Sequence, residues 1–213
     1  MKKFTAILLS FLLLCSLLCA CTPAETNDNK NDNTPKQYSI GTLTSNSWQS
    51  SWIGLQYKAD SSTVMATQKE MEDMMNLGAD VMFGENGQQM IDWAKVTTAY
   101  EMMATSTSGS NVIVCAEKLP LSNMTVSQYL DSVKTQMDSL GLYSNLNFST
   151  PTTQKVGGID FTRTDMTATY MGVSINQTYM VVKIQDRMVT LIFTCTTSGA
   201  LESMLSGFSA YNG

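Results

Sequence analysis

The chain has 213 residues, a formal net charge of −5 and no histidine. The missing imidazole excludes Ser-His-Asp and Cys-His nucleophile activation, zinc sites built on histidine, and the side chain that most often moves protons near neutral pH. An acidic chain with scattered bases is a poor match for a phosphate backbone, so no nucleic-acid partner is expected.

The start reads MKKFTAILLSFLLLCSLLCAC. Lys2 and Lys3 precede an apolar run, Ala6 to Ala20. That run has the length of a signal-peptide core and is short of the ~20 residues a spanning helix needs. It ends Leu18-Cys19-Ala20-Cys21, which resembles the bacterial lipobox of leucine, two small residues and a cysteine, with Cys19 a less usual occupant of its position. The resemblance implies cleavage between Ala20 and Cys21 and a thioether-linked diacylglycerol on Cys21. Two acyl chains give stable anchoring where one gives only reversible binding. The competing readings are an ordinary secretory signal with a chance cysteine, and an uncleaved anchor. Loss of residues 1–20 removes Lys2 and Lys3 and leaves 11 basic against 18 acidic residues, a net charge of −7. The remaining chain, about 190 residues, fits one domain, and it has no second apolar run long enough to span a membrane.

Residues 21–36 read CTPAETNDNKNDNTPK, without apolar periodicity. This is the composition of a disordered tether, whose flexible residues reach roughly 20 Å. A single domain is expected over 37–213. Tyr38–Thr44 and Trp52–Lys58 read as strands joined around Ser45–Gln49. Thr67-x-x-Glu70 has capping-box spacing, and Met71, Met74 and Met75 fall on one face of the helix it opens, which Leu77-Gly78 is expected to end. Residues 81–95 are hard to assign, with GENGQQ a turn or loop and MIDWAK a helical turn or short strand. Thr97–Thr105 and Asn111–Leu119 are β-rich, joined by STSGS as a hairpin, with Pro120 stopping the second.

Thr125-x-x-Gln128 is a second capping box. Val126, Tyr129, Leu130, Val133, Met137 and Leu140 form one stripe of a helix ending at Gly141. A meander follows: a short strand over Tyr143–Ser149, then Ile159–Thr169, Val173–Ile184 and Arg187–Thr196, with turns at Tyr170–Gly172 and Gln185–Asp186. In the last strand Val189, Leu191, Phe193 and Cys195 share one face and Met188 and Ile192 the other, the pattern of a central strand covered on both sides. Ser198 is the expected cap of a final helix carrying Leu201, Met204, Leu205 and Phe208.

The element order is hairpin, helix, hairpin, long helix, meander, helix. With the segments SSWIGLQYKA, MATQKEMEDMM, AYEMMATSTSGSNVIVCAEKL and VVKIQDRMVTLIFTCTTSGALESMLSGF, it resembles the PsbP-like α/β/α sandwich and a group of small clostridial-type lipoproteins. The resemblance implies an α+β fold with an antiparallel sheet of about six to eight strands flanked by helices. It also implies a binding or assembly factor rather than an enzyme.

Candidate chemistry is sparse. Cys115 and Cys195 are the mature cysteines besides Cys21; in an exported protein they are either a candidate disulfide or two buried thiols. Sixteen methionines include Met71, Met74, Met75 and the pair Met102-Met103, which resemble thioether sites for Cu(I) but fit core packing better. Trp48 and Trp52 in one strand would form a platform for a glycan, with one core Trp and one turn Trp as the plainer reading. Arg163 and Asp165 share a strand face and are expected to pair. A two-carboxylate glycosidase needs no histidine, yet no carboxylate stands in a recognisable motif. Gly84 and Gly87 lack the Lys-Ser/Thr of a phosphate loop. No catalytic residue, metal or cofactor is expected. The sequence therefore predicts a lipoprotein on the extracytoplasmic face of the cell membrane, held by Cys21. It would bind or help assemble an unidentified envelope protein, or alternatively a small glycan or peptide ligand.

Overall fold

The computed structural model describes residues 37–83, 97–119 and 121–213. The expected signal peptide with Ala20 and Cys21, the expected tether, GENGQQ with MIDWAK, and Pro120 lie outside the described residues. The fold is α+β. An eight-stranded antiparallel sheet carries helices on one face and a four-stranded sheet on the other.

The small sheet is built by β1 (Thr42–Leu43), β2 (Ser47–Ser50), β3 (Leu55–Lys58) and, at the far end of the chain, β12 (Phe208–Ala210). The first hairpin is tighter than expected. Thr44 N–H donates to Ser47 O at 2.8 Å, so the turn closes before Trp48 and puts that residue in a strand. Trp52, expected in a strand, sits in the next turn. There Ser50 accepts from Ile53 and Gly54, and Gly54 takes φ +82°, which costs glycine nothing. β12 pairs antiparallel with β3, Phe208 opposite Tyr57.

The large sheet runs β4 (Thr63–Met65), β5 (Thr98–Ser106), β6 (Asn111–Lys118), β11 (Arg187–Thr194), β10 (Val173–Ile184), β9 (Ile159–Tyr170) and β7 (Tyr143–Phe148), and β8 (Thr152–Val156) also pairs with β9. β8 was not anticipated. Gly157 and Gly158, both at positive φ, make a two-residue hairpin turn that folds the polar TTQKV strand back along β9. The β11 reading holds. Val189, Leu191 and Phe193 pack on one side, Met188 and Ile192 on the other, and the strand lies between β6 and β10.

Helices α1 (Gln68–Phe83) and α2 (Val126–Ser139) cover one face. Both capping boxes form: Glu70 accepts from Thr67 N–H at 2.7 Å and Glu70 N–H donates to Thr67 Oγ1 at 3.2 Å, and Thr125 and Gln128 repeat the exchange at 2.9 and 3.2 Å. α1 does not stop at Gly78. A single internal glycine costs about 1 kcal/mol but leaves the amide ladder intact. α2 ends as expected, with Gly141 at φ +62°. On the other face, α3 (Ala200–Ser206) is entered through Gly199 at φ +77° with no side-chain cap, so Ser198 does not play the part expected of it. No helix among the described residues is long and apolar enough to cross a membrane.

Losing the Thr125 hydroxyl leaves a first-turn amide unanswered. Thr125→Ala is expected to lower stability by about 1 kcal/mol in urea denaturation, while Thr125→Ser retains the wild-type midpoint.

Candidate functional site

The side chains with the most chemical potential are two buried carboxyls that sequence reading did not single out. Glu101 is the extra residue of a β-bulge in β5, between Tyr100 opposite Cys115 and Met102 opposite Val114. Tyr100 packs toward the helices and Glu101 turns into the layer of the small sheet, and the bulge keeps Met102 on that same side. Glu101 is only 1% exposed. Its carboxyl accepts from Tyr38 Oη at 2.8 Å, Gly41 N–H at 2.6 Å and Trp48 Nε1 at 3.1 Å. Burial pushes its pKa up, while these donors and the Arg187 charge pull it down. Gly41 is required by this approach, since a Cβ would stand 2.4 Å from Trp48 Nε1 and 2.7 Å from Glu101 Oε2. Tyr38 is gripped from behind as well. The Arg187 guanidinium lies 3.8 Å from its ring centroid, a cation–π contact, and Trp52 meets it edge-on at 5.0 Å.

Tyr38 and Arg187 form a wall between two open grooves. One, of about 410 Å³, lies between α1 and the start of β5 and is lined also by Ile40, Glu72, Met75 and Thr98. The other, of about 530 Å³, is bounded by Gln37, Lys118, Gln185 and Asp186 at the β10–β11 turn. Both open where the chain enters the folded domain. A third groove, of about 310 Å³, lies on the far flank of α1 against β4.

The second carboxyl, Glu117 on β6, faces the helices. It accepts from Tyr129 Oη of α2 at 2.9 Å and is raised to about 7 by burial, against that hydrogen bond. Desolvation also pushes Tyr129 and the adjacent Cys115 thiol well up, so the phenol and the thiol stay protonated at neutral pH while Glu117 is part-ionised.

The sequence-predicted candidates fall elsewhere. Trp48 and Trp52 are 0% and 6% exposed in the same core cluster, so no aromatic platform exists. Trp48 instead supplies a donor to Glu101. Cys115 and Cys195 both carry free thiols. Cys115 packs toward the helices and Cys195 against the other core. Cys195 also lies five residues along the chain from Thr190, the partner of Cys115, about 16 Å at ~3.3 Å per residue, whereas a bridge needs Cα atoms within ~7 Å. Met102 and Met103 point into opposite cores, and Met71 and Met75 are packed in the helix-side core, so the methionines fill space. Arg163 and Asp165 do pair, bidentate at 3.1 Å in both bonds. Among the described residues no group of three or more His, Cys, Asp or Glu side chains is placed to hold a metal ion.

No family model matches this chain, and no curated protein matches it. Among solved structures it is similar to the cyanobacterial PsbP, CyanoP, of Synechocystis sp. PCC 6803, at 9% identity and a TM-score of 0.47, over 84% of this chain and 99% of that one. It is also similar to LpqN of Mycobacterium tuberculosis, described as involved in cell envelope biogenesis. That match has 10% identity and a TM-score of 0.34, over 52% of this chain and 64% of that one.

Two measurements test the site. Glu117 ionises near 4.5 when unfolded and near 7 when folded, so the unfolded state releases its proton first. Its share of stability is therefore complete below about pH 4.5 and is lost as pH rises through about 7, by about 3 kcal/mol at most. The wild-type urea midpoint is expected to fall between pH 5 and pH 8, and Glu117→Gln to flatten most of that fall, leaving the smaller slope from Glu101. Alkylation without reductant is expected to label both Cys115 and Cys195 in denaturant and only Cys195 in the native protein, checked by mass spectrometry.

Proposed function

We propose that this chain is a bacterial lipoprotein, anchored by a diacylglyceryl group on Cys21 at the extracytoplasmic face of the membrane. Its domain, without chemistry of its own, binds or helps assemble a protein of the cell envelope. The observation that carries the reading is the ending Leu18-Cys19-Ala20-Cys21 at signal-peptide distance from Lys2 and Lys3, followed at once by a polar tether. The start of the domain supports it. Tyr38 and Gly41 are held by Glu101 within a few residues of the tether's end, so tension on an anchored tether would meet a cation–π contact and two hydrogen bonds before it reached the core.

The open character of the grooves also favours a partner over an enclosed small ligand. The two buried carboxyls are spent on joining layers. A glycan platform at Trp48 and Trp52 is not part of this reading, because both indoles are in the core.

Radiolabelled palmitate fed to expressing cells is expected to label the wild-type protein. Cys21→Ala is expected to lose the label and leave the membrane fraction; label retained on Cys21→Ala overturns the anchor. Crosslinking in native membranes is expected to trap the wild type with an envelope protein.

A further inference from the structure

The two edges of the large sheet are treated differently. At one edge β7 is interrupted: Asn145 takes φ +54° and the register against β9 shifts between Ser144 and Asn147, which blunts it as a template. At the other edge stands β4, Thr63-Val64-Met65, with no lysine, proline or bulge. Among the described residues, only its shortness protects it.

The pairing of β4 shows which of its groups are spare. Ala66 N–H donates to Met103 O, Thr107 N–H donates to Ser62 O, and Val64 lies opposite Thr105. Even-numbered residues therefore exchange bonds with β5, and Thr63 and Met65 turn their backbone groups outward. Thr63 N–H is answered by Asp60 O at 3.2 Å. The Thr63 carbonyl and the Met65 N–H and C=O have no partner among the described residues.

The third groove lies beside this edge. Val64, 69% exposed, and Met103 line its floor, while Glu70, Asp73 and Met74 of α1 form its far wall. Val64 leaves a large apolar group to solvent where α1 stops short of the sheet edge. Methionines on both sides give the groove walls that adapt to varied side chains. Its rim is acidic. Glu70 and Asp73 of α1 line it and Asp60 lies in the turn before β4, against Lys69, which is paired with Asp73 at 2.8 Å, and Lys58 at the end of β3. Asp60 and Glu70 are held ionised by hydrogen bonds from Ser62 and Thr67.

We propose that the β4 edge and this groove take up an extended segment of a partner protein by strand addition. The segment alternates apolar and basic residues. Its backbone bonds to Met65, one apolar side chain lies over Val64 in the groove, and its lysines or arginines meet Asp60 and Glu70. This deepens the partner-binding reading and rests on it. A second copy of the chain fits poorly, because pairing two β4 edges would bring two acidic rims together. The chain's own residues 22–36 fit poorly too, being acidic overall and without an apolar side chain larger than proline.

The test uses the full-length chain in detergent and a fluorescein-labelled peptide, Lys-Val-Lys-Val-Lys-Val-Lys, read by fluorescence anisotropy. Saturable binding is expected, with exchange of the Met65 amide slowed in the complex. N-methylation of alternate peptide amides is expected to weaken binding by about tenfold or more, and so is Val64→Lys, while Val173→Lys at the exposed start of β10 leaves it unchanged. A glutamate-for-lysine peptide is expected not to bind. The proposal is overturned by absence of saturable binding, by binding that survives both N-methylation and Val64→Lys, or by an unchanged Met65 exchange rate. Self-association of the chain that Val64→Lys abolishes overturns it in favour of a second copy. Palmitate on Cys21 is read separately, so failure here leaves the anchor reading standing.

Discussion

The constraint on which the structure turns is that its central strands are apolar on both faces. β6 sends Val112, Val114 and Ala116 one way and Ile113 and Cys115 the other, and β11 does the same with Val189, Leu191 and Phe193 against Met188 and Ile192. Each large apolar side chain left in water would forgo roughly 2 kcal/mol, so neither face can stay bare. α1 and α2 supply one cover. The four-stranded sheet and α3 supply the other, and that sheet needs strands from both ends of the domain, β1 to β3 and β12. The architecture is thus a sheet with two unlike lids.

Each lid is also held at one polar point. Glu101 reaches from the sheet to Tyr38, Gly41 and Trp48 of the small-sheet layer, and Glu117 reaches to Tyr129 of α2. Hydrophobic packing alone is tolerant of sliding. A buried carboxyl with donors at fixed positions is not, because a shift leaves it desolvated and unpaired at a cost of several kcal/mol. The two groups serve as registration points for the layers, and both keep raised pKa values as a consequence. This accounts for the perturbed carboxyls.

The same geometry distributes the surface. The chain enters at Gln37 beside Arg187 and Lys118, at the β10–β11 turn, whereas Val64 and Met65 stand at the β4 edge near the β5–β6 turn. Arg187 pairs with Lys118 and Thr105 with Asn111, at opposite ends of β6, so the Gln37 end and the open edge lie about 20 Å apart, at ~3.3 Å per residue.

Local rules were sufficient for much of this. The capping boxes at Thr67 and Thr125, the α2 stripe, the Gly141 stop and the two-faced pattern of β11 depend on neighbours within a few residues, and the sequence carries them whole. The long-range features were not legible. β12 is three residues whose only reason to be a strand is β3, some 150 residues away. Trp48 and Trp52, four apart, look like a platform until the turn at Thr44 and the pull of Glu101 bury both. Cys115 and Cys195 are ordinary strand residues until the sheet places them on opposite faces. Glu101 reads as one more alternating position, and only the folded layers bring Tyr38, Gly41 and Trp48 to it. Composition and period state which residues want to be buried. Which partners they meet there is decided by loop closure and layer packing, and those are properties of the folded chain alone.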